Sequence, residues 1–331
     1  MRISAYIPAY NGEKYIEEQL ESIRAQTRRV DEVFVRDDGS SDATRALVAA
    51  FIAKHGLKDW HLLEDHAHLG LDGGHRALWE RVNGDLVFVV DHDDIWMPDK
   101  VEVMAALMKQ RPELSLLIGG YGYCDAHSEP FWREKWDRED NTLHPIPLTD
   151  FLPHSVHPGC AFCVRGDVIR TARELGSPDC WQSIGQDWFL AVMSCAMGGV
   201  EKLRRVTFLH RIHGQNSSRE RVRSSTVQGT TPTLRLSRWK QAAAAHRWFL
   251  ETPTIAALLT AKQAKQIEQA AAYIEKRIRL QETRNPFLAI SLLFDRRAFL
   301  HTPRSLKRRL RDYAADISYT YGINPKKRVC K

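Results

Sequence analysis

Residues 85–94 read DLVFVVDHDD: five uninterrupted apolar residues that run straight into Asp91, Asp93 and Asp94. A short continuous apolar run with no polar alternation is what a strand looks like when helices cover both faces of its sheet. In open α/β sheets ligands bind beyond the carboxyl ends of the strands, so the carboxylates stand where chemistry is expected. Working back toward the N-terminus, RISAYI (residues 2–7) runs into Pro8 and Asn11-Gly12 and predicts a strand followed by a loop. From Lys14 to Thr27, Tyr15, Ile16, Leu20 and Ile23 recur at helical spacing opposite Glu17, Glu18 and Glu21. EVFVR (residues 32–36) is a second strand, stopped by Asp37-Asp38-Gly39-Ser40-Ser41-Asp42. A helix over Ala43–His55 follows, with Asp42 placed to cap it, then a strand at His61–Leu63 and a helix at Gly73–Val82. Regular alternation of strand and helix predicts a mostly parallel α/β sheet flanked by helices.

Beyond this the pattern loosens. Strands are expected at Leu116–Gly120 and Cys160–Arg165 and a helix at Asp187–Met197; Ser217–Thr233, rich in Ser, Thr and Arg, reads as a linker. Ala-, Gln- and Lys-rich helices over Arg238–Leu250 and Ile255–Glu282 then dominate. The expected organisation is an α/β domain over residues 1–220 and a helical, basic region over 221–331.

Charge divides the same way. Residues 1–200 hold 20 Lys and Arg against 32 Asp and Glu, a net −12, and the remainder holds 28 against 9, a net +19. An acidic body suits polar ligands or metal, whereas a basic one suits anionic partners. The longest apolar stretches, Leu114–Cys124 and Phe287–Phe294, fall short of the ~18 residues a membrane span needs. MRISAYIPAYNGEKY lacks a basic, apolar, small-residue leader pattern, and six cysteines in 331 residues are too sparse for a disulfide scaffold. These features lead to an expected cytoplasmic address with reduced thiols.

Asp91-His92-Asp93-Asp94, fixed at the end of a strand, presents carboxylates that suit Mg²⁺ or Mn²⁺ and leave coordination positions open for phosphates. Alone, such a segment is more often a solvated acidic turn, since short acidic motifs are frequent by chance. Taken together, IPAYNGEKYIEEQLESIRAQT, VFVRDDGSSDAT and GDLVFVVDHDDIWMPDKV, in that order and spacing, resemble the GT-A fold domain of inverting family 2 glycosyltransferases over roughly residues 1–215. The DHDDIWMPDK segment is most similar to the bacterial rhamnosyltransferase-like branch that builds surface polysaccharides.

The resemblance implies that Pro8, Ala9 and Tyr10 line the nucleotide base, that Asp38 bonds the base imide with Asp37 assisting, and that Asp91 lies near the ribose. It implies a metal on Asp93 of the DXD motif, with His213 of the HRIHGQNS segment (residues 210–217) as a further ligand or diphosphate contact and Arg211 balancing phosphate charge. Asp187 in GQDW (residues 185–188) stands at the general-base position, although Gln186 replaces the Glu or His that relatives carry beside it. Gly159 and Cys160 are expected near the acceptor and Trp181 and Trp188 as sugar-stacking faces, the alternative for the tryptophans being the core. Gly70, Gly73 and His75 are further donor-side candidates. Cys160 and Cys163 with His157 do not read as a zinc site, for want of a fourth ligand at a recognisable spacing.

Phe287–Phe294, followed by Arg296, Arg297, Arg304, Lys307, Arg308, Arg309 and Arg311, has the make-up of a segment that settles on an anionic membrane surface, a solvated helix face or a contact between copies of the chain. The expected partners are a nucleoside-diphosphate sugar and a glycan or lipid-linked acceptor. Rival readings are an RNA-binding protein, which has charge but no signature here, a nucleotidyltransferase, which lacks its glycine-rich basic loop, and a catalytically silent scaffold.

Overall fold

In a computed structural model the described residues are 1–65, 67–131, 140–152, 157–176, 185–214, 231–298 and 306–321. Trp181, Arg304 and nearly all of the linker expected at Ser217–Thr233 lie outside them. The chain divides into two compact units. One comprises residues 1–146, 157–177 and 189–213; the other comprises 147–156, 178–188 and 214–331, so the division is not a single cut near residue 220.

The first unit is built on a sheet of ten strands in which β1 (Ile3–Ala9), β2 (Glu32–Asp37), β3 (Trp60–Leu62) and β4 (Leu86–Val89) run parallel in the order β3-β2-β1-β4. β1 and β4 are buried at every residue, as the continuous apolar runs require. Between these strands lie α1 (Ile16–Arg24), α2 (Thr44–His55) and α3 (Gly70–Trp79). The N-cap position of α2 falls on Ala43 rather than on Asp42, although the Asp42 carboxylate accepts from the Thr44 amide at 3.0 Å. α3 begins three residues before the apolar spacing suggests, because Asp38 accepts from the amides of Leu69 and Gly70 at 2.8 and 2.9 Å. Gly70 takes φ of +70° there, a conformation that costs a glycine little.

Past β4 the sheet becomes mixed. β5 (Ile95–Trp96) leads into α4 (Lys100–Gln110) and the long β6 (Leu114–Cys124); β7 (Pro130–Phe131) pairs antiparallel with β6 and is followed by β8 (Leu143–Pro145). β9 (Phe162–Arg165) inserts between β4 and β6, antiparallel to both, and leads into α5 (Gly166–Leu175). α6 is Gln186–Met197. β10 (Gly199–Arg211) runs parallel to β6 and antiparallel to β5 and β8. No strand is legible in 199–211, because Glu201, Lys202, Arg204 and Arg205 break its apolar pattern. Among those charges Glu201 is paired with Arg111 at 2.8 Å, Arg204 with Asp140 at 3.1 Å and Arg205 with Asp99.

The second unit is helical. Thr231 caps Pro232–Glu251, a Thr260/Gln263 capping box opens Ala261–Thr283, and Asn285 accepts from the Phe287 amide to start Pro286–Leu293. The helix Leu306–Tyr321 supplies Asp316, which is 3% exposed and takes two hydrogen bonds from buried Arg277 at 2.7 and 2.8 Å. Among the described residues no helix is long and apolar enough to cross a membrane.

Gly166 tests how tightly β4 and α5 meet, since a Cβ added to it would stand 2.0 Å from the Gly84 carbonyl oxygen. Backbone cannot swing aside as a side chain can. Gly166→Ala should therefore destabilise the protein by about 1–3 kcal/mol in urea unfolding.

Candidate active site

The carboxyl edge of β4 is assembled by strand register. β10 pairs with β5 so that Phe208 faces Trp96 and Leu209 faces Ile95. Two residues further in the same register, His210 meets Asp94 and Arg211 meets Asp93. Asp94 Oδ1 lies 3.0 Å from His210 Nδ1 and accepts from the Arg211 amide at 3.1 Å, and Arg211 Nε donates to the Asp93 carbonyl at 2.7 Å. β9 works from the other side. It pairs Phe88 with Cys163, and the register carried three residues on brings Cys160 against Asp91.

The result is a group of four metal-competent side chains. Ligand atoms of Asp91, Asp94, Cys160 and His210 all lie within 4.8 Å of one another. Desolvation raises the Asp91 carboxyl to about 7, with the charges of Asp94 and Asp93 acting in the same direction. Burial and then the charges of Asp91 and Asp94 push the Cys160 thiol well above its ordinary value. For His210 burial acts downward, but the Asp94 charge and hydrogen bond and the charges of Asp91 and Asp93 raise it to about 9. Asp94 Oδ2 is buried and has no hydrogen-bond partner among the described residues. Beneath the group Lys100, fully buried, donates to the Cys160 carbonyl at 2.9 Å and stands 4.3 and 4.5 Å above the Trp96 and Phe208 rings. Burial lowers its amine to about 8.

Asp93 and His213 are brought together, with Oδ2 and Nε2 2.7 Å apart and the Tyr15 ring 4.7 Å from the imidazole. Burial opposes charge on Asp93, yet the His213 hydrogen bond and the charges of His92, His210 and His213 hold its carboxyl down at about 2. A carboxylate facing an imidazole is a donor set that fits Mg²⁺ or Mn²⁺, and so does the oxygen-bearing group beside it. Arg211 is fully buried. Besides the Asp93 carbonyl it bonds Glu18 at 2.6 Å, Ser128 Oγ at 2.9 Å and the Asp125 carbonyl at 3.3 Å, and it lies 4.8 Å over the Tyr15 ring.

Along the same edge Pro8 and Ala9 close β1, and Tyr10, 47% exposed, stands 5.2 Å from the His68 ring. Asp38 is buried and accepts from Arg36 at 2.5 Å as well as from the α3 amides. Asp37 accepts from the Ser40 amide at 3.3 Å through one oxygen, while its other has no hydrogen-bond partner among the described residues. His75 is buried edge-on against Tyr6.

The acceptor-side expectations fare differently. Asp187 lies in the first turn of α6, half-buried, and accepts from the Trp188 amide at 2.9 Å. Trp188 is not a sugar-stacking face: it is 1% exposed, its indole N–H bonds the Phe151 carbonyl at 2.7 Å, and its ring packs on His246 and Phe249. Gly159 and Cys160 form a buried 3-10 turn, which turns Cys160 toward Asp91 and Asp94. Trp181 is outside the described residues.

The model of the family described as Glycosyl transferase family 2 matches residues 4–170. The chain belongs to that family. It is 23% identical over 236 residues to an uncharacterised glycosyltransferase of Nostoc sp., covering 69% of this chain and 70% of that one. It is 31% identical over 126 residues to UDP-Glc:alpha-D-GlcNAc-diphosphoundecaprenol beta-1,3-glucosyltransferase WfgD of Escherichia coli, covering 38% of this chain and 48% of the relative, so it spans about half that protein's length. The fold is similar to that of S. aureus TarS 1–349 in complex with UDP-GlcNAc, with a TM-score of 0.59 at 16% identity over 97% of this chain and 92% of that one. This glycosyltransferase therefore has the GT-A architecture implied by its motifs.

Sequence reasoning missed the partnership of Asp94, Cys160 and His210. These residues are 116 positions apart at the extremes, and only the antiparallel returns of β9 and β10 bring them together. Asp38 carries a structural duty as well, because Arg36 is fully buried against it. Asp38→Ala should cost about 3 kcal/mol of stability by leaving that guanidinium with only the more distant Asp65 carboxylate, at 3.5 Å. Urea unfolding checks this separately from any loss of nucleotide binding.

Proposed function

We propose that this family 2 glycosyltransferase moves a sugar, with inversion, from a nucleoside-diphosphate donor onto a glycan or lipid-linked acceptor in surface-polysaccharide synthesis. The juxtaposition of Asp93 and His213 at the carboxyl edge of β4 is the observation that carries the reading. WfgD is named for a UDP-Glc donor and a diphosphoundecaprenol-linked acceptor, and TarS has been crystallised with UDP-GlcNAc and with UDP, which supports a UDP- or dTDP-linked donor, dTDP-rhamnose included.

Asp93, with His213, is the proposed seat of Mn²⁺ or Mg²⁺. When bound, the ion supplies positive charge to the diphosphate that leaves. Arg211 holds the Asp93 carbonyl and so fixes the carboxylate's direction. Pro8, Ala9 and Tyr10 line the base, Asp38 and Asp37 offer it acceptors, and Asp91 stands for the ribose. Asp187 takes the proton from the acceptor hydroxyl. As that oxygen bonds to the anomeric carbon, the bond from carbon to the donor phosphate oxygen breaks and the nucleoside diphosphate departs with the electron pair. The acidic unit thus handles the donor, and the helical region is assigned to the acceptor and to the membrane that a lipid-linked acceptor occupies.

A thermal-shift panel of UDP, dTDP and GDP with their sugar conjugates, each with and without Mn²⁺ or Mg²⁺, tests this directly, because ligand binding raises the melting temperature. One nucleotide series should stabilise the protein in a metal-dependent way, and Asp93→Ala should abolish both that shift and transfer. Asp187→Asn should keep the shift while lowering kcat by about 10²–10⁴. No shift with any nucleotide and either metal would overturn the donor assignment.

A further inference from the structure

The helix Pro286–Leu293 is apolar on both faces. Its inner side places Ala289 and Leu292 in a cluster with Tyr273, Leu280 and Ala298. Its outer side leaves Phe287 77% exposed, Ile290 57% and Phe294 74%. These three recur at i, i+3 and i+7, which is one stripe of a helix. A contiguous stripe of large apolar side chains facing water marks an interaction surface.

Along the sequence that carries the stripe the charge is predominantly positive. Between residues 284 and 311 there are eight Lys and Arg and one acid, Asp295. That acid is already neutralised, by Arg297 at 2.6 Å and Lys276 at 2.9 Å. Arg284 and Arg296, flanking the stripe, are exposed. Two copies meeting through this surface would set like cations against one another, which disfavours self-association. An anionic bilayer offers the complement to both features: phosphates for the cations and an acyl boundary for Phe287, Ile290 and Phe294. The helix is eight residues long, too short to span, so it would lie in the interface plane.

We propose that the outer face of Pro286–Leu293, with Arg284 and Arg296 beside it, docks this protein on an anionic phospholipid surface. The residues of this surface belong to the helical unit, and its use does not depend on which sugar is transferred.

Co-sedimentation of the full-length chain with phosphatidylcholine vesicles, with and without phosphatidylglycerol, tests the proposal. Binding should require phosphatidylglycerol and weaken as salt shortens the ~10 Å screening length found at 0.1 M. The triple variant Phe287→Ser/Ile290→Ser/Phe294→Ser should bind at least about tenfold less, as should Arg284→Glu/Arg296→Glu. Because all five side chains are exposed, both variants should keep the wild-type melting temperature and nucleotide-induced shift, which separates this test from that of the transferase reading. Equal binding to both kinds of vesicle, no binding to either, or unchanged binding by the triple variant would overturn it. So would light scattering showing, without lipid, a wild-type dimer that the triple variant dissolves into monomers, because the stripe would then be covered by a second copy.

Discussion

Asp91, Asp93 and Asp94 stand within four residues at the end of a buried strand, and carboxylates so crowded in a poorly solvated place repel one another and take up protons unless positive groups face them. The rest of the α/β unit answers that constraint. His210 faces Asp94, His213 faces Asp93, and the Arg211 guanidinium holds the Asp93 carbonyl. Among the described residues no cation pairs with Asp91, and burial raises its carboxyl to about 7, whereas Asp93, hydrogen-bonded to His213, is held at about 2. Neighbours of like chemistry are thus split by their partners, as sites that bind and release charge require.

His210 and Arg211 come from the strand that runs back along the sheet, and His213 lies two residues beyond its end. β10 meets β5 antiparallel, so successive residues past the pair Leu209 and Ile95 walk along the acidic segment in reverse. Arg211 then ties three parts of the unit together, reaching Glu18 on α1, the turn at 125–128 and the Asp93 carbonyl. An arginine can do this because its planar fork carries five donors in fixed directions. Lys100, Trp96 and Phe208 underlie the same corner, a buried ammonium between two rings and the Cys160 carbonyl.

How much of this was legible follows from which forces are local. The parallel strands β1, β2 and β4 could be read because burial on both faces leaves an unbroken apolar run. β10 could not, since its buried and paired charges look like surface when their partners, Arg111 and Asp99, lie far off in sequence. Asp93 and His213 were readable from family motifs, and the structure brings them together. Cys160 was read toward the acceptor, whereas an antiparallel return sets it against Asp91 and Asp94, a fact of topology that no local pattern carries. For Trp188 an aromatic beside an acid fits a sugar platform as well as a core, and only its contacts with Phe151, His246 and Phe249 decide.

Asp38 shows how one carboxylate serves fold and ligand in turn. A carboxylate has about four acceptor positions. Arg36 and the Leu69 amide occupy Oδ1 and the Gly70 amide meets Oδ2 at 2.9 Å, whereas His68 Nδ1 faces the Asp38 backbone carbonyl at 2.9 Å and stands 3.1 Å from Oδ2. On the proposed reading a base imide needs one of these places. Arg36 is fully buried and would keep only the Asp65 carboxylate, 3.5 Å away, if it gave up Asp38, and the two amides open α3. The His68 side chain is 63% exposed and already lies against the exposed Tyr10 ring. On that reading the imidazole, which can turn into water at little cost, leaves Oδ2 to the imide and the Tyr10 ring to the base.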